Sequence, residues 1–284
     1  MTNIKNVTVF GAGVLGSQIA YQAAFFGFNV TAWDINDDAL QAGRERYRTL
    51  ATRYINDNMP DAHIKANDVA ENISLTTDKK EALKDADIVI EACPEILSLK
   101  QELWEEIGEL APSHTILCTN SSSLLPSDIK NYTGHPDRFL AYHFANEVWK
   151  HNTGEVMGTE DTNQEVFDTV VEFASEMGMV PIPVLKEKAG YLLNSLLIPF
   201  LSAAQGLAAF GFGSPKDIDK TWKIATGAPK GPFEILDIVG LTTAYNIASA
   251  GDETSRKVAA WLKENYIDKG KLGVGTGEGF YSYK

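Results

Sequence analysis

The glycine pattern Gly11-Ala12-Gly13-Val14-Leu15-Gly16 stands directly after a strand-like run, residues 6–10, and at the start of a helical run, residues 15–26. A strand, a tight glycine turn and an outward-facing helix N-terminus together form a cradle for a dinucleotide pyrophosphate. Gly11 permits the turn, Gly13 lets the backbone approach the phosphates, and Gly16 lets helix and strand pack closely, with Val14 and Leu15 carried on the same first turn. A second strand-like run, residues 29–33, ends at Asp34. At that spacing a carboxylate accepts hydrogen bonds from the adenosine ribose hydroxyls and repels a 2′-phosphate. No basic residue immediately follows Asp34, although Arg44 and Arg46 lie further along, so NAD is expected rather than its phosphorylated form. A glycine turn with a capping Asp is the plain structural alternative.

The alternation continues. Residues 37–54 have helical composition with Asp37 and Asp38 suited to the first turn, residues 56–72 read as a polar connector, and further strand-like runs fall at 73–76, 88–92, 115–119 and 139–143, with a helix at 97–110. The pattern of a parallel sheet wound with crossover helices persists to about Val184. From residue 189 to 209 the chain becomes a helical stretch of Leu, Ala, Ile and Phe, too apolar on every side to face water alone. Helical segments follow at 216–225, 232–238, 242–249 and 253–264. The expected fold class is α/β: a Rossmann-type dinucleotide-binding domain over residues 1–186, followed by an all-α C-terminal domain over 187–284. The all-round apolar helix suggests completion of its burial in a homodimer.

Among 284 residues, 44% are hydrophobic and the net charge is -13, which opposes attraction to nucleic acid and to anionic membranes. The first residues run straight into a strand, leaving no room for a secretion signal, and no apolar run is read as reaching membrane-spanning length. Cys93 and Cys118 are too few and too isolated for a disulfide framework or a metal cluster. A cytoplasmic location without a metal is therefore expected.

Three segments carry candidate chemistry: Asn120-Ser121-Ser122-Ser123, His143-Phe144-Ala145-Asn146, and Glu155. Strand ends in open α/β sheets face the ligand crevice. A histidine beside a carboxylate can carry a hydroxyl proton near neutral pH, with the carboxylate fixing its tautomer. A single His at a strand end is, taken alone, more often structural.

Over essentially its whole length the sequence resembles the 3-hydroxyacyl-CoA dehydrogenase family. The resemblance is carried by the glycine loop, by Ala86-Asp87-Ile88-Val89-Ile90-Glu91-Ala92 with Glu95 and Lys100, and by Thr119-Asn120-Ser121-Ser122-Ser123-Leu124. His143-Phe144 with Glu155, Gly190-Tyr191-Leu192-Leu193-Asn194, Thr226-Gly227-Ala228-Pro229-Lys230-Gly231-Pro232-Phe233-Glu234 and Gly277-Glu278-Gly279-Phe280-Tyr281 complete it. It implies NAD-dependent oxidation of a secondary alcohol in fatty acid metabolism, with His143 as acid and base and Glu155 holding it. It further implies that Ser122 and Asn194 hydrogen-bond the substrate oxygen, and that Glu95, Lys100 and Asn120 lie on the cofactor side. Helix capping is the alternative role for Ser122 and Asn194.

The chain departs from the family pattern at Glu147, where Pro is usual, through the following Val148-Trp149-Lys150-His151-Asn152-Thr153-Gly154, and at Ala189 and Ser195. These variants resemble the diketoreductase-like members. The leading expectation is a short-chain substrate such as 3-hydroxybutyryl-CoA. The alternatives are a diketoreductase or another dehydrogenase of oxo or hydroxy acids without CoA, such as gulonate 3-dehydrogenase, and a non-catalytic nucleotide-binding or structural relative. A CoA site needs cations for its phosphates, for which Arg48, Arg53 and Lys65 are the candidates. His151 is a second possible proton carrier or an exposed loop histidine.

Overall fold

Eight strands form one sheet in the computed structural model, which describes residues 1–283. β1 (Asn6–Phe10), α1 (Val14–Phe25) and β2 (Asn29–Trp33) make the expected first βαβ unit. There follow α2 (Asp37–Asn56), α3 (Ala62–Asn72), β3 (Ser74–Thr76), α4 (Lys79–Leu83), β4 (Ile88–Glu91), α5 (Leu97–Leu110) and β5 (Ile116–Thr119). β6 (Phe139–Phe144), β7 (Thr153–Gly158), α6 (Gln164–Glu176) and β8 (Val180–Val184) complete a sheet of order β3-β2-β1-β4-β5-β6-β7-β8.

The order reverses between β1 and β4, and the chain leaves those neighbours in opposite directions, which opens a crevice at the C-terminal edge of the sheet. The central strands are apolar on both faces because helices cover both. Val7, Val9, Ile88 and Ile90 pack with residues of α1, α2, α3 and α6 on one side. Phe10, Val89 and Leu117 pack with Trp104 and Ile107 of α5 on the other. Asn36 caps α2 by accepting the Ala39 N–H at 2.8 Å, and Asp37 and Asp38 occupy its first turn as expected.

The sheet is not purely parallel, which corrects the sequence expectation. β6 and β7 run antiparallel, because only residues 145–152 join them and a parallel crossover needs a dozen or more. The longer connection through α6 then brings β8 back parallel to β7. The stretch read as a polar connector contains α3. Its buried stripe is Ala62, Ala66 and Ala70, each 1% exposed. Alanines at four-residue spacing let α3 pack closely, and Tyr21 Oη donates to the Ala66 carbonyl at 2.7 Å. Such a stripe carries little hydrophobic signal.

The chain divides into two compact units, Met1–Leu192 and the residues from Leu193 onward, so the division falls after the second residue of α7 (Tyr191–Ala209). The second unit adds α8 (Pro215–Thr226), α9 (Pro232–Val239), α10 (Leu241–Ser249) and α11 (Glu253–Asn265). Leu201, Phe233, Leu236, Leu241 and Leu262 form its core. Asp237 is buried and accepts the Phe280 and Tyr281 N–H groups and the Tyr283 hydroxyl, while Asp219 accepts the Phe233 N–H and the Tyr281 hydroxyl. The two C-terminal sequence signatures are thus held by two buried carboxylates.

α7 corrects one further expectation. It is long and apolar enough, by length and composition, to cross a membrane, and 17% of that window is buried. Asn194, Ser195, Ser202 and Gln205 interrupt the apolar run without lowering its average far. One copy of the chain leaves Leu196, Ile198 and Leu207 of α7 exposed, and the sequence reading assigns the rest of its burial to a second copy.

Candidate active site

The register of β6 against β7 sets His143 directly opposite Glu155. Facing residues in an antiparallel pair carry their side chains on the same face, and His143 Nδ1 lies 3.0 Å from Glu155 Oε2. Both side chains are about 95% buried. An ionised carboxylate only accepts, so the proton on this bond sits on Nδ1 and Nε2 is left as the acceptor. Ser122 Oγ is 3.0 Å from that Nε2. Glu155 Oε1 accepts the Leu192 N–H at 2.9 Å. Ser122, His143 and Glu155 therefore form one hydrogen-bonded line at the C-terminal edge of the sheet. Ser122 caps no helix. Asn194 lies inside the first turn of α7, half-buried, in the second unit.

Glu95 organises the loop after β5. Its Oε1 accepts from Ser121 Oγ at 2.6 Å, Ser122 N at 3.0 Å, Ser123 N at 2.7 Å and Ser123 Oγ at 2.9 Å. Partial burial raises its carboxyl, but the bonds from Ser121 and Ser123 and the Lys100 charge outweigh that and bring it down to about 2. Glu95 therefore stays charged throughout the neutral range. Lys100 is buried: its ammonium bonds Glu91 at 2.5 Å and the Cys93 carbonyl at 3.2 Å, and stands 3.5 Å from Glu95 Oε2. It reaches the site through Glu95. Asn120 is also an internal brace, its Oδ1 accepting the Phe144 N–H at 3.0 Å.

The glycine loop has the shape a pyrophosphate needs. Gly11 has φ +103°, and a Cβ there would meet the Ala92 carbonyl oxygen at 2.8 Å; a Cβ on Gly16 would lie 1.9 Å from the Gly11 oxygen. Gly13 faces open space, and as N-cap of α1 it supplies no side-chain cap, leaving the first helical N–H groups for a ligand. Val14 is exposed on that turn and Leu15 half-buried. Asp34 accepts the Ala12 and Ile35 N–H groups, each at 2.7 Å, one on each oxygen. Those bonds aim the carboxylate while each oxygen keeps a further lone pair for a ribose hydroxyl. Arg44 and Arg46 are turned to backbone carbonyls, Arg46 to that of Ala12. These residues fit a bound NAD.

The unusual loop after β6 is pinned to α1 and α2. Glu147, with φ +60°, pairs with Arg53, and its N–H donates to Gln18 Oε1 at 2.7 Å. Trp149 Nε1 donates to Asp57 at 2.8 Å, Lys150 pairs with the same carboxylate at 2.8 Å, and Arg53 lies over the Trp149 ring at 4.7 Å. His151 is exposed, 3.8 Å from Glu147, and lies in this loop rather than in the Ser122–His143–Glu155 line.

Two contributors escaped the sequence reading of the residues as chemistry. Glu91 ends the all-apolar strand β4, and an acid in such a run signals a buried charge awaiting a cation. Tyr191 stacks on His143 with ring centroids 4.3 Å apart and planes 8° from parallel, and its Oη donates to the Ser121 carbonyl at 2.7 Å. Burial, then the Glu95 and Glu155 charges, push its phenol up, so it keeps its proton and donates. Tyr191 also adopts φ +51°, which an L residue takes only where packing enforces it.

Residues 6–188 match the family model described as 3-hydroxyacyl-CoA dehydrogenase, NAD binding domain, and residues 190–283 match the one described as 3-hydroxyacyl-CoA dehydrogenase, C-terminal domain. The chain is 36% identical to the hydroxyacyl-coenzyme A dehydrogenase, mitochondrial, of Rattus norvegicus, over 99% of this chain and 92% of that one. It is 33% identical to the probable 3-hydroxybutyryl-CoA dehydrogenase of Bacillus subtilis, over 99% and 98%. A solved structure of a diketoreductase, described by its catalysis on dicarbonyl compounds, is 60% identical over 100% of both chains, with a TM-score of 0.96.

Proposed function

This chain belongs to the 3-hydroxyacyl-CoA dehydrogenase family, and we propose that it interconverts a 3-oxo and a 3-hydroxy group on a small dicarbonyl-type substrate, with His143 as the proton carrier. It is an NAD-dependent dehydrogenase of secondary alcohols. The observation that carries the proposed mechanism is the Ser122–His143–Glu155 line. When bound, NAD supplies the acceptor or donor of the hydride. Gly11, Gly13, Val14, Leu15, Gly16 and Asp34 would hold it, with Glu95 fixing the adjoining loop.

In the oxidation direction His143 Nε2 takes the substrate hydroxyl proton, and in reduction the imidazolium returns it to the carbonyl oxygen. Glu155 keeps the Nδ1–H tautomer and balances the charge on the ring when both nitrogens are protonated. Ser122 Oγ donates to the substrate oxygen as negative charge develops there. Asn194 is proposed for the same oxygen on the strength of the family motif alone.

A second observation bears on the substrate and shifts the leading expectation away from CoA. The cations named for its phosphates are engaged elsewhere: Arg48 with Glu45 and Glu71, Arg53 with Glu147, and Lys65 over the Phe25 ring at 4.2 Å. A plain 3-oxo ester, which carries no charge, makes no demand on them. The acyl-CoA thioester is the second reading, favoured by the names of the relatives at 33–36% identity. NADH oxidation with ethyl acetoacetate beside acetoacetyl-CoA separates the two. Equal or better use of the ester is expected, and a large preference for the thioester would restore the CoA reading. In the same assay NADPH should serve at least about tenfold worse, because Asp34 faces the 2′-phosphate.

The exposed apolar residues of the second unit, among them Leu196, Leu207, Phe212 and Ile224, lead us to propose a homodimer in which a second copy covers them. Light scattering of the purified protein should give the mass of two chains; the mass of one would remove the proposal.

A further inference from the structure

The χ2 torsion of a histidine has broad, shallow wells, so hydrogen bonds at the ring edge alone hold the plane of the imidazole loosely. His143 has two such edge bonds, to Ser122 and Glu155. What closes the remaining freedom is the Tyr191 ring, parallel to the imidazole at 4.3 Å. The contact is not an isolated one. Gly190 N donates to the Ser122 carbonyl at 3.2 Å, Tyr191 Oη donates to the Ser121 carbonyl at 2.7 Å, and Leu192 N donates to Glu155 Oε1 at 2.9 Å. Three consecutive residues thus touch every member of the line. Consecutive positive φ angles, +81° at Gly190 and +51° at Tyr191, turn the backbone so that one N–H faces the serine loop and another faces Glu155.

We propose that Tyr191 is a positioning residue for the proton carrier: its ring face fixes the plane of His143, and its hydroxyl fixes the serine loop, so that Nε2 and Ser122 Oγ are presented together to one substrate oxygen. The phenol face is electron-rich and favours the imidazole when it carries the extra proton. The charged groups that act on this ring are Glu95, Glu155 on β7, Glu91 at the end of β4, and Glu187. The competing role is that of a plain core aromatic, since Tyr191 also packs with Ala141, Met157 and Val184. Leucine can fill that apolar space but offers no ring face.

The inference rests on the reading of His143 given above, so the experiment carries both. Y191F, Y191L and H143Q are compared as complete proteins with NADH and a 3-oxo ester. Y191F keeps the ring and should retain kcat within about threefold. Y191L should lose about tenfold in kcat, with the ester KM and the NADH Kd within about twofold of the parent and a larger solvent deuterium isotope effect, because proton transfer becomes more limiting. Parental kcat in Y191L overturns the inference, as does a loss confined to KM or a Y191F loss equal to that of Y191L. An inactive H143Q beside a fully active Y191L sinks the inference alone; a fully active H143Q sinks the reading of His143 and the inference with it.

Discussion

Replacement of His143 by Gln is expected to lower kcat by about two to four orders of magnitude. Glutamine keeps a polar group of similar reach but can neither take nor return a proton at neutral pH. The fold should tolerate the change, because the amide can still bond Glu155 and Ser122 across the β6–β7 register. NADH affinity should stay near that of the parent, since the glycine loop joins β1 to α1 and Asp34 follows β2, away from the β6–β7 pair. Steady-state turnover with a 3-oxo ester, read beside NADH fluorescence titration, checks both halves. Undiminished turnover would remove His143 from the mechanism and return the Ser122–His143–Glu155 line to a structural role. A parallel loss of NADH binding would mean that the substitution disturbed the edge of the sheet rather than the chemistry.

The second large effect is on stability. Lys100→Met should destabilise the protein by about 3–5 kcal/mol, because it leaves the Glu91 charge uncompensated in the interior. Glu91 and Lys100 are 0% and 1% exposed and bonded at 2.5 Å, so water cannot stand in for the missing ammonium. In a unit of this size the loss corresponds to a fall in Tm on the order of 10 °C. Combining Lys100→Met with Glu91→Leu should recover part of it, because no lone charge remains. The recovery is incomplete: Glu91 also accepts the Cys93 N–H at 2.7 Å and the Thr119 hydroxyl at 2.7 Å, and both donors would lose their partner. Differential scanning calorimetry of the single and double variants decides the matter. A single variant melting within a degree or two of the parent would show that the pair does not bear on stability. The same substitution removes a cation from beside Glu95, so weakened hold on the serine loop should accompany the lower Tm.

Much of the sheet is legible from local pattern because its signals are local. β1, β2 and α5 span the residues that the sequence pattern assigns to them. β7 was not legible: Thr-Gly-Glu-Val-Met-Gly alternates poorly and contains two glycines. It becomes a strand because β6 offers an edge that a short connection can reach. Likewise α3 shows only alanines on its buried face, and alanine has a packing role that depends on the neighbours it meets. For the CoA question the sequence offers three cations, and their pairing with Glu45, Glu71, Glu147 and the Phe25 ring exists only once α1, α2, α3 and the loop after β6 have come together.

Local pattern specifies the kind of chain this is: the glycine turn, Asp34, the strand and helix alternation, the family motifs and the residue types at the site. Each depends on neighbours within a few positions, or on spacing that survives without knowledge of the fold. Tertiary structure alone decided which of these residues act together. The β6–β7 register brought His143 to Glu155, the stacked Tyr191 came from a turn nearly fifty residues further along, and Lys100 was set between Glu91 and Glu95. Such partners are chosen by distance, direction and the exclusion of water, and those quantities come into being only when the chain has closed around them.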